Sequence, residues 1–446
     1  MGFFRFCRFE FRRGVLQGMG ESKITHSPQD CIYGPLTIPS YCWKIIDTCE
    51  FQRLRQITQL GSVSYVYPSA NHTRFEHSLG CCHLACKFMN HISEVQPKLE
   101  IEPNHIQAVV IAALCHCLGC GPFSSAFRAF AREIDTTWSQ KEMSTKMLRY
   151  IIDKYQLNFS KEVIDAACEY IYGNIYEKYP HWLSQVVVNH KTAIDIVKFD
   201  RLSRDSSRSL NSHMFEYERL IFNCRVIDDQ LTWKISEVPT IESLFYTMND
   251  MHLRVYKHRV VQSISCMIQD IFSIICDKAK ISESLNDPKL FSSLNDDILY
   301  QCELGMFGQE AKELVERILC RKLYSCVDEI RIKPDDENGF RYSQKSRESI
   351  VDDILRCSNE CDRDKYRVVS MRFKYGLSKT KHPLLSILFW KKDNEKIIYL
   401  KDEEISCIVP AHFTENAMRV FVTDKDEVPI AKVAFQKWAE QNPFFK

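Results

Sequence analysis

The sequence predicts a mainly α protein: a helical body followed by a small C-terminal α/β lobe. Three observations carry this. From Gln29 to about Leu323, apolar residues recur at three- and four-residue spacing, as in helices that bury one face. In YRVVSMRFKYG, LLSILFWKK, KIIYL and MRVFVT the period changes to alternation, as in strands. VPIAKVAFQKWAEQ then returns to helical spacing and closes the chain.

The elements follow in order. FFRFCRFEFRR alternates aromatic and basic residues. It reads as an edge strand or an unstructured start, with a nucleic-acid or membrane-surface arm as the functional alternative. A myristoylation signal fails there, because Phe6 sits where Ser or Thr is needed, and Met19 is an alternative start. WKIIDTCEFQRLRQI, LACKFMNHI, KEVIDAACEYIY and VVQSISCMIQDIFSIIC are the clearest helices of the body, separated by short Gly, Pro and Asn punctuation. DDENGFRYSQKSRE, 335–348, reads as a polar loop or linker. The expected division is an arm over 1–28, a body over 29–330 and a lobe over 331–446.

Lys plus Arg number 59 and Asp plus Glu 58, a net charge of +1, so no global field favours nucleic acid. The 20 cysteines are scattered through apolar helical stretches. They read as reduced thiols of an intracellular protein, in nucleus or cytoplasm, rather than a disulfide framework. The longest apolar run is about half of what spans a bilayer, and no secretory address is recognisable. No membrane association is expected.

Chemistry concentrates in three stretches. The apolar run HIQAVVIAALC leads into HCLGCGPF, residues 116–123, where His116 and Cys117 precede a Gly-rich turn. NHTRFEHSLG carries His77, and AIDIVKFDRLSRD carries Asp195, Val197, Lys198 and Asp200. With DTCEFQRLRQITQLG and LCHCLGCGPFS, these stretches resemble the HD domain of the sterile-alpha-motif and HD-domain dNTP triphosphohydrolase family. The likeness runs from about Gln29 to the C-terminus, and no sterile-alpha-motif domain is recognisable in this sequence. It implies an HD-domain helical body and conversion of a dNTP, such as dGTP, to a deoxynucleoside and triphosphate.

The departures from that family decide the functional expectation. The resemblance implies a metal held at positions 77, 116, 117 and 197 by His, His, Asp and Asp. This chain has His77 and His116, but Cys117 and Val197. Valine has no lone pair, and a thiolate favours zinc over harder ions. Asp200 lies just short of a helical turn beyond Val197 and could reach inward only with a shift, while Asp195 points elsewhere. The proton-handling positions hold Cys120, Ser125, Arg128 and Gln140, where the family has His, His, Asp and His. Cys115, Cys117, Cys120 and His116 read first as packed thiols around a histidine, with a repurposed zinc site as the alternative.

The nucleotide-handling positions are better kept. Matched to the family's substrate pocket are Gln59, Leu60, Arg74, Lys198, Asp205, His252 and Tyr256, while Arg201 replaces a Tyr and Met248 an Arg. Arg and Lys suit phosphate oxygens, and Tyr borders a deoxyribose. The regulatory guanine site maps to Asp47, Gln52, Arg55 and Arg419, with His26 for a Lys and Gln29 for an Asn. The adjoining dNTP site keeps His258 and Arg259 and departs at Thr240.

The expectation is therefore a catalytically degenerate, nucleotide-binding regulatory scaffold that binds GTP or a dNTP. It is expected to form a homo-oligomer or to co-assemble with an intact relative. No cofactor is expected, with a weakly held iron, manganese, magnesium or zinc ion as the alternative. Two other readings stay open: an altered dNTPase using His77, His116 and a substitute ligand, and a single-stranded nucleic-acid binder using the basic arm and KKDNEK.

Overall fold

A computed structural model describes residues 26–212, 215–333, 336–342, 345–357, 362–376, 381–392, 394–405, 410 and 412–445. The arm expected over FFRFCRFEFRR, with Phe6 and Met19, lies outside the described residues. The mainly α expectation holds. The longest helix, Arg74–Val95, crosses beside Pro103–Cys115 and Ile196–Leu210 and forms the middle of the body with them. It is buried on most of its faces, with Phe75, His77, Leu79 through Ala85 and Met89 all inside. Among the described residues no helix is long and apolar enough to cross a membrane.

The body is less purely helical than its periodicity predicts. Strands Cys224–Ile227 and Gln230–Lys234 form an antiparallel hairpin within it. The second of these pairs in parallel with Phe389–Lys391, through Trp233 opposite Phe389, and Asn394–Ile398 completes a four-stranded sheet. The body and the C-terminal residues thus share a sheet. The segment read as a linker, 335–348, is also corrected: it contains helix Glu337–Tyr342 and the start of Arg347–Leu355. Tyr342 donates to Asp353 and accepts from Trp438 Nε1, so this polar stretch is pinned to the lobe.

Three strands form the lobe's own sheet. Thr414–Val422 is central, flanked antiparallel by Ser325–Arg331 and Tyr366–Lys374. Helix Val428–Glu440 covers it, burying Phe435 and Trp438 over Val327, Val420 and Val422. The other face, with Phe373 and Phe421, joins the main core. LLSILFWKK yields only the short strand Phe389–Lys391, preceded by a 3₁₀ turn at Pro383–Ser386, where proline presets the turn.

Candidate functional site

Helix Arg74–Val95 sets Arg74, His77 and Cys81 on one stripe, three and four residues apart. Helix Pro103–Cys115 ends at His116, and the chain turns through Cys117, Gly119, Cys120 and Gly121. Ser144 Oγ holds that turn, accepting from Gly119 N and lying 2.8 Å from the His116 carbonyl oxygen. Phe123 and Ser124 both have positive φ, 53° and 49°, a strained arrangement for non-glycine residues. Asp296 accepts from Phe123 N at 2.6 Å, and Ser124 Oγ donates to the Thr58 carbonyl at 2.7 Å.

Helix Ile196–Leu210 brings the third stretch. Asp195 caps it, accepting from Lys198 N and Asn189 N and pairing with Lys198 Nζ, so it does point elsewhere. Asp200 departs from expectation by reaching His77 without a shift: its Oδ2 lies 2.6 Å from His77 Nδ1. The approach depends on Gly80. A Cβ there would stand 1.9 Å from Asp200 Oδ1. Arg204 grips the same carboxylate, with Nη2 2.8 Å from Oδ1 and Nε 3.1 Å from Oδ2.

The centre is a pair of imidazoles. His77 Nε2 and His116 Nε2 are 3.0 Å apart, and His116 Nδ1 lies 2.7 Å from the Ala113 carbonyl. Cys117 Sγ is 3.2 Å from His116 Nε2, and Cys81 Sγ is 3.9 Å from His77 Nε2. Burial pushes the Asp200 carboxyl up, but Arg204 and His77 outweigh it and hold it well below the usual carboxylate range. Burial pulls His77 down, while Cys81 and Asp200 bring it up to about 9. The Cys81 thiol is itself pushed by burial up to about 12, so at neutral pH the Asp200 carboxylate carries the upward pull. Burial and His77 push His116 down to about 3. The two shifts run in opposite directions, favouring the charged form at His77 and the neutral form at His116.

Of the residues expected to handle substrate, Arg74 lies beside this centre. Arg74 donates to Ser124 Oγ at 3.0 Å and points Nη1 at Cys117 Sγ, 3.6 Å away. Asp205 is held between His72 Nε2 at 2.8 Å and the Tyr256 hydroxyl at 2.6 Å. His252 meets the Tyr256 ring edge-on within a π-helical turn, His252–Tyr256. Gln59 is buried, and its Oε1 lacks a partner among the described residues. Leu60 is half-buried beside it. Arg128 has Arg74, Arg132 and Arg201 as cationic neighbours. The residue is exposed, and partial desolvation of its head group and the Arg74 charge lower its guanidinium. Met248 is buried. Of the proton-handling positions, Cys120 is buried, Ser125 is exposed at a helix start, and Gln140 opens helix Gln140–Lys154.

The residues expected to form the regulatory sites fall in two groups. Gln52 donates to the Ile46 carbonyl and accepts from Arg55 Nε at 2.7 Å, beside exposed Asp47. Arg419 binds Glu329 and the Lys257 carbonyl, next to His258 and exposed Arg259. His26 stacks edge-on against Trp43, and Thr240 Oγ1 lies 3.1 Å from Glu237.

Cys81, His72, Ser124, Arg204 and Asp296 enter the site without having been singled out from the sequence. The four-residue spacings of His77 to Cys81 and Asp200 to Arg204 were the available signals. Asp296 also gives a pH prediction. Burial raises it to about 6, against bonds from Phe123 N and Thr58. A carboxyl raised above its unfolded value of ~3.9 favours folding while protonated, and that contribution is lost as pH rises to about 6. Asp296→Asn is expected to flatten this fall in the urea midpoint, and an unchanged slope would remove Asp296 as its source.

The HD associated region family matches residues 215–369. The chain is similar to the deoxynucleoside triphosphate triphosphohydrolase SAMHD1 homolog of Dictyostelium discoideum, 33% identical over 97% of this chain and 88% of that protein. It is 31% identical to deoxynucleoside triphosphate triphosphohydrolase SAMHD1 of Gallus gallus, over 94% of this chain and 75% of that protein. The Homo sapiens protein of the same name is 30% identical over 94% and 74%.

Proposed function

The chain belongs to the SAMHD1-like family of dNTP triphosphohydrolases, and from that premise we propose that it is a catalytically degenerate member, a nucleotide-binding regulatory scaffold. The observation that carries this is the use made of Asp200. Both its oxygens are committed to His77 and Arg204, so the carboxylate beside the imidazole pair is spent on structure. Val197 offers no donor, and position 117 offers sulfur. The residues do not fit the hard, oxygen-preferring ion that the family resemblance implies. Cys120, Ser125, Arg128 and Gln140 leave the proton-handling positions without a usual general acid or base.

Binding is better supported than turnover. Arg74, Arg128 and Arg201 bring positive charge together at the pocket, suited to phosphate oxygens. Gln59 Oε1 and the Asp205–Tyr256 pair supply polar edges for a base or sugar. Asp47, Gln52 and Arg55 keep a guanine-binding group, and such binding would drive self-assembly or co-assembly with an intact relative. The retained His77–His116 pair favours an altered dNTP hydrolase as the second reading.

One experiment separates them. Purified chain is mixed with GTP, dGTP and manganese or magnesium, and both melting and product are followed. GTP at a hundredfold excess over its dissociation constant is expected to stabilise by roughly 2.7 kcal/mol. Asp47→Ala is expected to abolish that shift, and dGTP turnover is expected to be negligible. Turnover of about 0.1 s⁻¹ or faster, within tenfold of an ordinary slow enzyme, would support the hydrolase instead. A parent with no GTP shift, or an Asp47→Ala variant with a full one, would end the guanine-site reading.

A further inference from the structure

Cys117 and Cys120 stand as C-x-x-C in the turn that follows helix Pro103–Cys115. Cys120 N donates to the Cys117 carbonyl at 2.9 Å, which closes an i to i+3 turn. Such a turn brings its ends within about 7 Å, and a disulfide spans Cα separations of about 4.4–6.8 Å. The two side chains are already neighbours, and both are free thiols. The packing of the turn depends on Gly119, where a Cβ would stand 2.2 Å from the Gln140 carbonyl oxygen.

The surroundings of this pair set it apart from the other thiols. Cys117 Sγ lies 3.2 Å from His116 Nε2 and 3.6 Å from Arg74 Nη1. Among the described residues, Cys81 meets an imidazole and Cys31 a guanidinium, but Cys117 meets both. A base and a cation beside sulfur are the surroundings of reactive rather than packed cysteines. Cys117 and Cys120 are each 1% exposed, but His116 and Arg74 are partly open, so a small oxidant reaches the sulfur past them. Cys42, Cys82 and Cys86 instead have one another as neighbours inside the apolar core, with Cys42 Sγ 3.9 Å from Cys82 Sγ.

We propose that Cys117 and Cys120 form a reversible thiol–disulfide couple, oxidised by a hydroperoxide and reduced by a dithiol, that tunes the anion pocket through Arg74. With hydrogen peroxide, Cys117 sulfur takes one oxygen, the O–O bond breaks, and water leaves a sulfenic acid. Cys120 sulfur then displaces that oxygen as a second water, and the S–S bond forms. The two thiols lose two electrons, which the peroxide gains. A dithiol reverses this by two exchanges and is itself oxidised to a disulfide. Closing the bond draws Cys117 Sγ toward Cys120 and off Arg74, which leaves that guanidinium to phosphate oxygens. The tuning rests on the anion pocket of the scaffold reading above; the couple itself does not.

The test treats the reduced full chain with a limiting amount of hydrogen peroxide, blocks the remaining thiols and maps peptides without reduction. The first bridge to appear is expected within the peptide that holds Cys117 and Cys120, two hydrogens lighter and restored by dithiothreitol. In Cys120→Ser, dimedone is expected to trap a sulfenic acid on Cys117. In Cys117→Ser, neither the bridge nor a sulfenic acid on Cys120 is expected. Circular dichroism checks folding, and if Cys117→Ser fails to fold, Cys120→Ser with dimedone carries the test. A bridge that forms first elsewhere, as between Cys42 and Cys82, overturns the couple. So does oxidation of Cys117 to the sulfinic acid with no bridge. Calorimetry with inorganic triphosphate, without metal, reads the tuning: the oxidised chain is expected to bind about threefold or more tighter, the worth of one modest hydrogen bond. Equal affinities overturn the tuning. No binding in either state, with the bridge formed, overturns the tuning together with the anion pocket and leaves the couple standing.

Discussion

Arg204→Ala is expected to lower the free energy of unfolding by about 3–5 kcal/mol, read as a large drop in the denaturant midpoint at neutral pH. Arg204 is fully buried and joins three parts of the chain. It holds both oxygens of Asp200, donates to Asp30 Oδ2 at 2.8 Å, and lies over the Tyr33 ring. Asp30 in turn caps the N-terminal turn by accepting from Ile32 N and Tyr33 N. Removing the guanidinium takes this cation from Asp30 and Asp200 and from Glu76, 3.7 Å away, leaving the His77 imidazole on Asp200 and Arg208 on Glu76. Arg204→Lys keeps the charge but loses the planar fork, so an intermediate loss is expected. The pH dependence gives a second check. Asp200 has a folded pKa below its unfolded value of ~3.9. Its ion pair therefore stabilises above that value, and the contribution is lost as pH falls below it. The gap between parent and Arg204→Ala should narrow below about pH 4. A variant that unfolds at the parent's midpoint would mean that Asp200 and Asp30 are hydrated rather than paired.

The sequence made the helical body legible because amphipathic helices repeat locally. Arg74–Val95 and Arg259–Ile275 appear in the spacing of their own residues. The lobe strand Thr414–Val422 was equally readable from MRVFVT. Strands Cys224–Ile227 and Gln230–Lys234 were not, because each is too short to show a period and their sheet is completed by Phe389, more than 150 residues away. The polar stretch at 335–348 concealed a helix for a related reason: Tyr342 gains its partners, Asp353 and Trp438, only in the folded lobe.

At the site, residue identities carried the resemblance, but partnerships did not. Nothing local says that Asp200 turns toward His77, since that depends on Gly80 letting two helices approach without a Cβ between them. Nor does spacing alone set Cys81 apart from Cys82 and Cys86. Of these three thiols only Cys81 has His77 nitrogens within 4 Å, whereas Cys82 meets Cys42. The partners of Arg74 are likewise set by the fold. Arg74 is positioned by Ser124 on the strained 123–124 turn, which Asp296 and Thr58 secure, and it also meets Cys117 Sγ at 3.6 Å.

Restoration of the centre is the sharpest test of the mapping. Cys117→Asp combined with Val197→Asp is expected to convert a site that takes up little manganese or iron into one that holds close to one equivalent per chain, measured by elemental analysis. Two carboxylate oxygens added to the paired Nε2 atoms of His77 and His116 make a mixed nitrogen–oxygen set that favours these harder ions, whereas Cys81 and Cys117 favour zinc. Ligand count acts before proton transfer, so metal should return with this pair of changes alone. Turnover of dGTP should need Cys120→His, Ser125→His, Arg128→Asp and Gln140→His as well, and Met248→Arg for full rate. Stability supplies a second readout. Val197 packs against the core, so a carboxylate there without a metal costs free energy, and the double variant should melt below the parent until manganese is added. If the double variant folds like the parent and binds no more manganese, then position 197 does not face the His77–His116 pair, and the four-ligand mapping fails even though the two imidazoles meet.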